Sequence, residues 1–224
     1  MNHVCFRILV LLFFCCSTFS QSSTSTHFVP IPLSDDYPSR VSVGLNMEPT
    51  PSSFELEVNY LLQIGRSFDV GLGLHGGALG KGGYGILGVD AMFHFLRPIN
   101  EAVFMGIQAQ VGYVYTGIGD VSLAPNVPNA FPITTGLIIG GVVRDLTRFY
   151  FFPAVEFGQT SNADDKLWKS GIGLRFTLGT AVSIGDTTYL VLETRPRIAN
   201  LVDKDLSAFS TFSIDAMLGL LFDF

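Results

Sequence analysis

Beyond residue 40 the chain carries apolar residues at every second position, and the pattern restarts after each polar or glycine-rich break. Val41, Val43 and Leu45 set a first segment, Phe54, Leu56, Val58 and Tyr60 a second, and Phe68, Val70, Leu72 and Leu74 a third. Leu87, Val89, Ala91, Phe93 and Phe95 form a fourth, and Val103, Met105, Ile107, Ala109, Val111, Tyr113 and Tyr115 a fifth. Ile133, Thr135, Leu137 and Ile139 mark a sixth, Phe149, Phe151, Val155 and Phe157 a seventh, and Ile172, Leu174, Phe176 and Leu178 an eighth. The ninth, with Leu190 and Leu192, is the least regular; the tenth runs through Phe212, Ile214, Ala216, Leu218, Leu220, Phe222 and Phe224. A period of two sends alternate side chains to opposite faces of an extended strand. The expectation is therefore ten strands, or eight if the first or ninth segment fails.

Two charge-free stretches, 102–119 and 121–143, are long enough to raise the alternative of membrane helices. Pro125, Pro128 and Pro132 would break the second repeatedly. In the first, Gln108 and Gln110 fall in phase on the polar face of a strand, whereas a helix would scatter them around its circumference. The strand reading survives both comparisons.

Connection lengths supply an independent signal. Short links fall at Gly65–Ser67, Arg97–Glu101, Asp145–Arg148 and Gly185–Asp186; longer or Gly/Pro-rich ones fall at Glu48–Ser53, Gly77–Gly83, Gly117–Phe131, Ser161–Lys169 and Ala199–Ser207. Alternation of short and long is the habit of a transmembrane β-barrel, with short turns on the periplasmic side. A spanning sheet must also close on itself, because an open edge would leave N–H and C=O groups unpaired in hydrocarbon. The fold class expected is a single antiparallel transmembrane β-barrel over residues 40–224, with both ends of the sheet on the periplasmic side. Aromatics near strand ends, Tyr60, Phe68, Phe95, Tyr113, Phe149 and Phe151, suit interfacial girdles.

Composition agrees. Hydrophobic residues make up 48% of the 224 and charged residues only 14%, at a mean hydropathy of +0.42, which is high for a soluble globule. The formal charge of −6 and the absence of basic clusters interleaved with aromatics exclude nucleic acid as a partner. Arg7, the apolar run Ile8 to Cys16, and small residues at Thr18 and Ser20 predict a signal peptide over 1–20, cleaved before Gln21. Cys5, Cys15 and Cys16 all lie in it, so the mature chain would hold no thiol for a disulfide, a metal or catalysis. Residues 21–39, rich in Ser, Thr and Pro, are expected to be an extended periplasmic lead-in without regular structure.

The last eight residues, Met217 to Phe224, resemble the final-strand signature of bacterial outer-membrane barrels: a terminal Phe with alternating apolar residues before it. The resemblance extends generically over the mature chain. It implies an integral outer-membrane protein, in contact with outer-membrane lipid, whose Leu218, Leu220, Phe222 and Phe224 serve as the signal read by the outer-membrane assembly machinery. A second resemblance is distant. Gln159, Thr160, Ser161 and Asn162 resemble the His-x-Ser-Asn region of lipid A deacylases, but glutamine stands where the base would be and cannot take the serine proton. Asp164 and Asp165 alone are a solvated loop pair. His75 and His94 read as lumen-lining polar residues rather than a base or a metal pair. No catalytic set, metal site or cofactor is expected, and the chain does not read as an enzyme.

Function is legible only on the inward face. The strand phase turns Glu55, Glu57, Asp69 and Asp90 inward on one side, and Arg144, Arg175, Arg195 and Arg197 on the other. Alternating strand direction puts Glu55, Glu57, Arg195 and Arg197 toward the outer mouth, Asp90 and Arg175 near mid-height, and Asp69 and Arg144 near the periplasmic end. For ten strands the backbone diameter is roughly 20 Å, which leaves little space once side chains project inward. The expectation is a structural or surface-interaction barrel with a lumen filled by charged side chains. Its outer loops, chiefly Gly117–Phe131 and Ser161–Lys169 with Trp168, would meet an envelope or extracellular partner. A narrow passive channel for small polar solutes is the alternative, and an outer-membrane lipid hydrolase a more remote one.

Overall fold

A computed structural model of the chain describes residues 28–34, 36–49, 52–79, 84–118, 129–143, 146–161, 168–198 and 213–224. The signal peptide expected over 1–20 lies outside them. Ten strands are present: β1 (Ser39–Pro49), β2 (Ser52–Gln63), β3 (Phe68–Leu79), β4 (Tyr84–Pro98), β5 (Val103–Ile118), β6 (Asn129–Val143), β7 (Thr147–Ser161), β8 (Trp168–Ser183), β9 (Thr188–Ile198) and β10 (Ser213–Asp223). Each pairs antiparallel with its sequence neighbours, and β1 pairs with β10 to close the sheet. The protein is a ten-stranded antiparallel β-barrel; the first and ninth segments, in doubt from sequence, are both full members.

The closing seam is registered by Val43 opposite Leu220 and Leu45 opposite Leu218. It continues to the chain end, where Ser39 N–H donates to the Phe224 carbonyl (3.2 Å) and Phe224 N–H to the Ser39 carbonyl (2.8 Å). Tight turns share this end. Ile64 N–H donates to Phe68 O at 2.6 Å and Ile184 N–H to Thr188 O at 2.9 Å. In the turn after β4 the Asn100 side-chain oxygen takes both the Ala102 and Val103 N–H groups, at 2.9 and 2.8 Å, an Asx turn that mimics backbone pairing. At the opposite end 80–83, 119–128, 162–167 and 199–212 lie outside the described residues, so nothing structural is assigned to most of the expected long loops. The connection expected over Glu48–Ser53 is tighter than its composition suggested, since pairing runs on to Pro49 opposite Ser52.

The outer wall is apolar, as the two-residue period requires. Leu56, Leu72, Leu74, Leu87, Phe93, Ile107, Leu137, Leu178 and Leu192 are all exposed on it. Near the turn end it carries Phe68, Phe149 and Phe151; Phe68 meets Phe95 edge-on at 5.4 Å, with the Arg97 guanidinium 5.7 Å from the Phe95 ring centre. Toward the opposite end Tyr113, Tyr115 and Phe131 occupy the same face. Two aromatic bands flanking an aliphatic zone match the two interfaces of a bilayer.

Inside, the barrel has its core. Outward of mid-height the lumen is mostly polar, with Ile86 and Val114 among the charges, whereas toward the turn end Leu61, Met92, Leu96, Phe104, Ile138, Tyr150, Phe152, Val191 and Leu221 line it beside Arg40, Asp69, His94, Gln108 and Asp223, all buried. Packed among them is the segment ahead of β1. Val29 and Ile31 join a cluster with Leu96, Phe104, Ile138, Tyr150 and Phe152, and Phe28 and Leu33 join a second with Leu61 and Met92. Every strand contribution to these clusters comes from an inward position, so residues 28–33 lie within the lumen. Part of the lead-in expected over 21–39 thus packs against the inner wall. The physical reason is composition: Phe28, Val29, Ile31 and Leu33 form an apolar island between polar stretches, and a lumen wall that is itself apolar gives them a place out of water.

Candidate functional site: the charged lumen

The inward face of the outer half collects charge from strands all round the barrel. Glu55 and Glu57 on β2, Asp90 on β4, Glu156 on β7, Arg175 on β8, Arg195 and Arg197 on β9, and Asp215 on β10 are all at most 6% exposed. Asp69 is equally buried nearer the turn end. Arg144 lies outside the described residues.

The sequence suggested an acidic wall facing a basic one; the acids it named lie on β2–β4 and the arginines Arg175, Arg195 and Arg197 on β8–β9, and the structure adds Glu156 and Asp215 beside the arginines. Glu156 bridges two arginines: its Oε1 accepts from Arg197 Nη2 at 2.9 Å, and its Oε2 lies 3.2 Å from Arg175 Nη2. Register explains the bridge, because Arg175 and Arg197 are directly opposed on β8 and β9, and two guanidinium groups side by side need an anion between them. Asp215 sits opposite Arg195 in register, with Arg195 Nη2 3.9 Å from Asp215 Oδ2. Across the barrel, His75 lies between two carboxylates, its Nδ1 3.4 Å from Glu55 Oε2 and its Nε2 3.5 Å from Asp90 Oδ2. Nearer the turn end His94 Nε2 is paired with Gln108 Oε1 at 2.8 Å, and its Nδ1 is 3.8 Å from Asp69 Oδ2. The histidines are thus set among lumen partners, one in each half.

Sequence reasoning did not single out Glu156, Glu193, Arg40 or Asp223. Glu156 was within reach, since the phase that turns Phe149, Phe151 and Phe157 to lipid turns residue 156 inward. Glu193 accepts a 2.5 Å hydrogen bond from the Tyr150 hydroxyl. Tyr150 stands opposite Gly179 on β8, and Gly179 opposite Glu193 on β9, so the ring crosses one whole strand to reach its partner. Only glycine permits this, because a Cβ at position 179 would overlap the Tyr150 ring. Arg40 makes a bidentate pair with Asp223, Nε to Oδ1 at 2.6 Å and Nη2 to Oδ2 at 3.1 Å. Its Nη1 also donates to the Ile31 carbonyl at 2.7 Å.

Leu218, Leu220, Phe222 and Phe224 share the outward face of β10, with Leu218, Leu220 and Phe224 well exposed. For the region that resembled a deacylase motif, Ser161 is the last residue of β7, while Asp164 and Asp165 lie outside the described residues.

A closed antiparallel barrel with an apolar exterior and a charged interior defines a transmembrane β-barrel of the outer-membrane type. Three solved structures similar to this chain are the following. One is the KdgM porin in complex with disordered oligogalacturonate, 7% identical over 83% of this chain and 99% of that chain, at a TM-score of 0.39. Another is the translocator domain of autotransporter NalP from Neisseria meningitidis, 7% identical over 99% and 96%, also at 0.39. A third is Ail, the attachment invasion locus protein of Yersinia pestis, 10% identical over 83% and 95%, at 0.31. No family model matches the sequence, and no curated protein matches it.

Proposed function

We propose that this protein is an integral barrel of a bacterial outer membrane, exported by a cleaved signal peptide, with a structural or surface-interaction role rather than that of a passive channel. One observation carries the reading. The lumen is occupied through its length, by Phe28–Leu33 with the apolar side chains around it toward the turn end, and by the Glu156–Arg175–Arg197 and Glu55–His75–Asp90 groups in the outer half. A conduit for ions needs a continuous hydrated path whose binding sites are shallow enough to leave. Buried ion pairs backed by an apolar segment are the opposite arrangement. In this reading the outward ends of the strands and the connections beyond them meet an envelope or extracellular partner. The outward side chains of β10 are what the outer-membrane assembly machinery reads.

The test is reconstitution of the purified mature protein in a planar lipid bilayer. Silence at applied voltage is expected. Stepwise currents whose ion preference changes in an Arg175→Gln variant would establish the channel reading in its place.

A further inference from the structure

We propose that residues 28–33 form a plug that can leave the lumen, and that the Arg40–Asp223 pair is the latch that holds it in. The proposal goes beyond the closed barrel described above, which becomes one of two states.

The attachment of the segment differs in kind from that of the wall. Each strand of the barrel is fixed by two hydrogen-bonded ladders, whereas residues 28–33 belong to none. Among the described residues the segment's backbone has a local bond, Ile31 N–H to Val29 O at 2.9 Å, and one bond to the wall, Arg40 Nη1 to the Ile31 carbonyl. The rest is apolar packing, which is non-directional and can be re-formed or given up without breaking a ladder. Phe28 illustrates the fit: its ring edge lies where a Cβ on Gly71 would fall, 2.7 Å from it, so the wall is hollowed at β3 to receive the ring. On its C-terminal side the segment leads into β1 at the turn end, so withdrawal toward that end threads past none of the described strands.

Arg40 occupies the point where withdrawal and seam meet. One guanidinium, 1% exposed, grips the carboxylate of Asp223 on β10 through two nitrogens and the plug carbonyl through the third. Its geometry is fixed by the Asp223 fork, and the plug is bound to whatever holds that fork. Withdrawal of the segment therefore breaks one charge-assisted contact together with its apolar packing. Its release frees Phe28, Val29, Ile31 and Leu33 together.

The experiment uses the mature chain, whose lack of cysteine makes single-site labelling clean. Ile31→Cys is introduced into the wild-type background and into Arg40→Ala/Asp223→Ala, which removes both latch partners together. Both proteins are folded in lipid and exposed to a water-soluble maleimide. Modification about tenfold or more faster in the latch variant is expected, the factor that loss of one hydrogen bond to a charged group supplies. Equal rates overturn the proposal. In parallel, deletion of residues 28–33 is expected to yield a barrel that retains heat-modifiable gel mobility and lets the water-soluble maleimide reach Leu61→Cys, on the wall behind the segment, which is slow in the intact chain. A folded deletion barrel in which that cysteine stays unreactive also overturns the proposal, while leaving the closed-barrel reading intact. Should the deletion fail to fold, the labelling rates decide alone. Currents from the wild type would instead remove the closed-barrel reading and leave the labelling comparison to stand or fall by itself.

Discussion

Glu156→Gln is the substitution that weighs the charged lumen most directly. The carboxylate is 2% exposed and sits between Arg175 and Arg197, each 6% exposed, at 3.2 and 2.9 Å. Glutamine keeps the volume and one acceptor but removes the negative charge, leaving two opposed guanidinium groups in a region shielded from bulk water. Breaking a buried pair by removing one partner costs about 3–5 kcal/mol where the remaining charge loses its compensation; Glu193 and Asp215 also face these arginines, so the figure is an upper bound. With a urea slope on the order of 2 kcal/mol/M, that loss lowers the unfolding midpoint by roughly 1.5–2.5 M. The assay is urea unfolding of the protein in detergent micelles or thin bilayers, followed by circular dichroism and by the gel mobility of the unboiled protein. Glu101→Gln, in an exposed turn, is the control and is expected to leave the midpoint in place. A shift for Glu156→Gln no larger than that of the control would refute the reasoning. It would mean that water reaches the pair and screens it as at a surface.

Gly179→Ala places a methyl group in the path of the Tyr150 ring, which its hydrogen bond to Glu193 holds in position; a loss of about 1–3 kcal/mol, typical of overpacking, is expected in the same urea assay. Adjacent cysteines test the orientation of the wall: Leu137→Cys, on a residue 57% exposed, should react with a membrane-soluble maleimide in folded protein, and Ile138→Cys, fully buried, should not. Similar labelling of the two would contradict the alternation on β6. Phe224→Ser removes an outward aromatic whose backbone still closes the seam. A reduced yield in outer-membrane fractions with unchanged urea stability of the folded material is expected, and unchanged yield would remove Phe224 from the assembly signal.

The sheet was readable because the barrel is a one-sided problem: lipid demands apolar residues at every second position, and a slip of one residue would invert the wall. Val103 to Tyr115 display that demand plainly. The lumen was less readable because its two halves obey different rules. Where the plug lies, inward positions are apolar as well, so Phe104, Ile138, Phe152 and Leu221 carry no contrast with their lipid-facing neighbours. Leu61 beside Leu62 shows the ambiguity at its simplest, one residue buried against the plug cluster and the other facing out. The apolar run Phe28 to Leu33 was the available signal, obscured by the prolines and serines around it. The charged residues were placed by phase. Their partners depend on which strands lie side by side and on interstrand register, and Glu156 reaches both Arg175 and Arg197 only because β8 and β9 are staggered to oppose those two arginines.

The exchange of backbone hydrogen bonds between Ser39 and Phe224 makes the barrel topologically a ring cut at one point. Those two residues stand where the halves of an ordinary hairpin would meet its turn. A short linker from Phe224 to Ser39 would therefore join the sheet into a cyclic order of hairpins, and new ends could be opened at the far side, within 119–128 or 199–212. Such a circular permutant keeps every strand pair of the wall while losing covalent continuity with residues 28–38. Its stability would be that of the ring alone, without the segment lodged inside it.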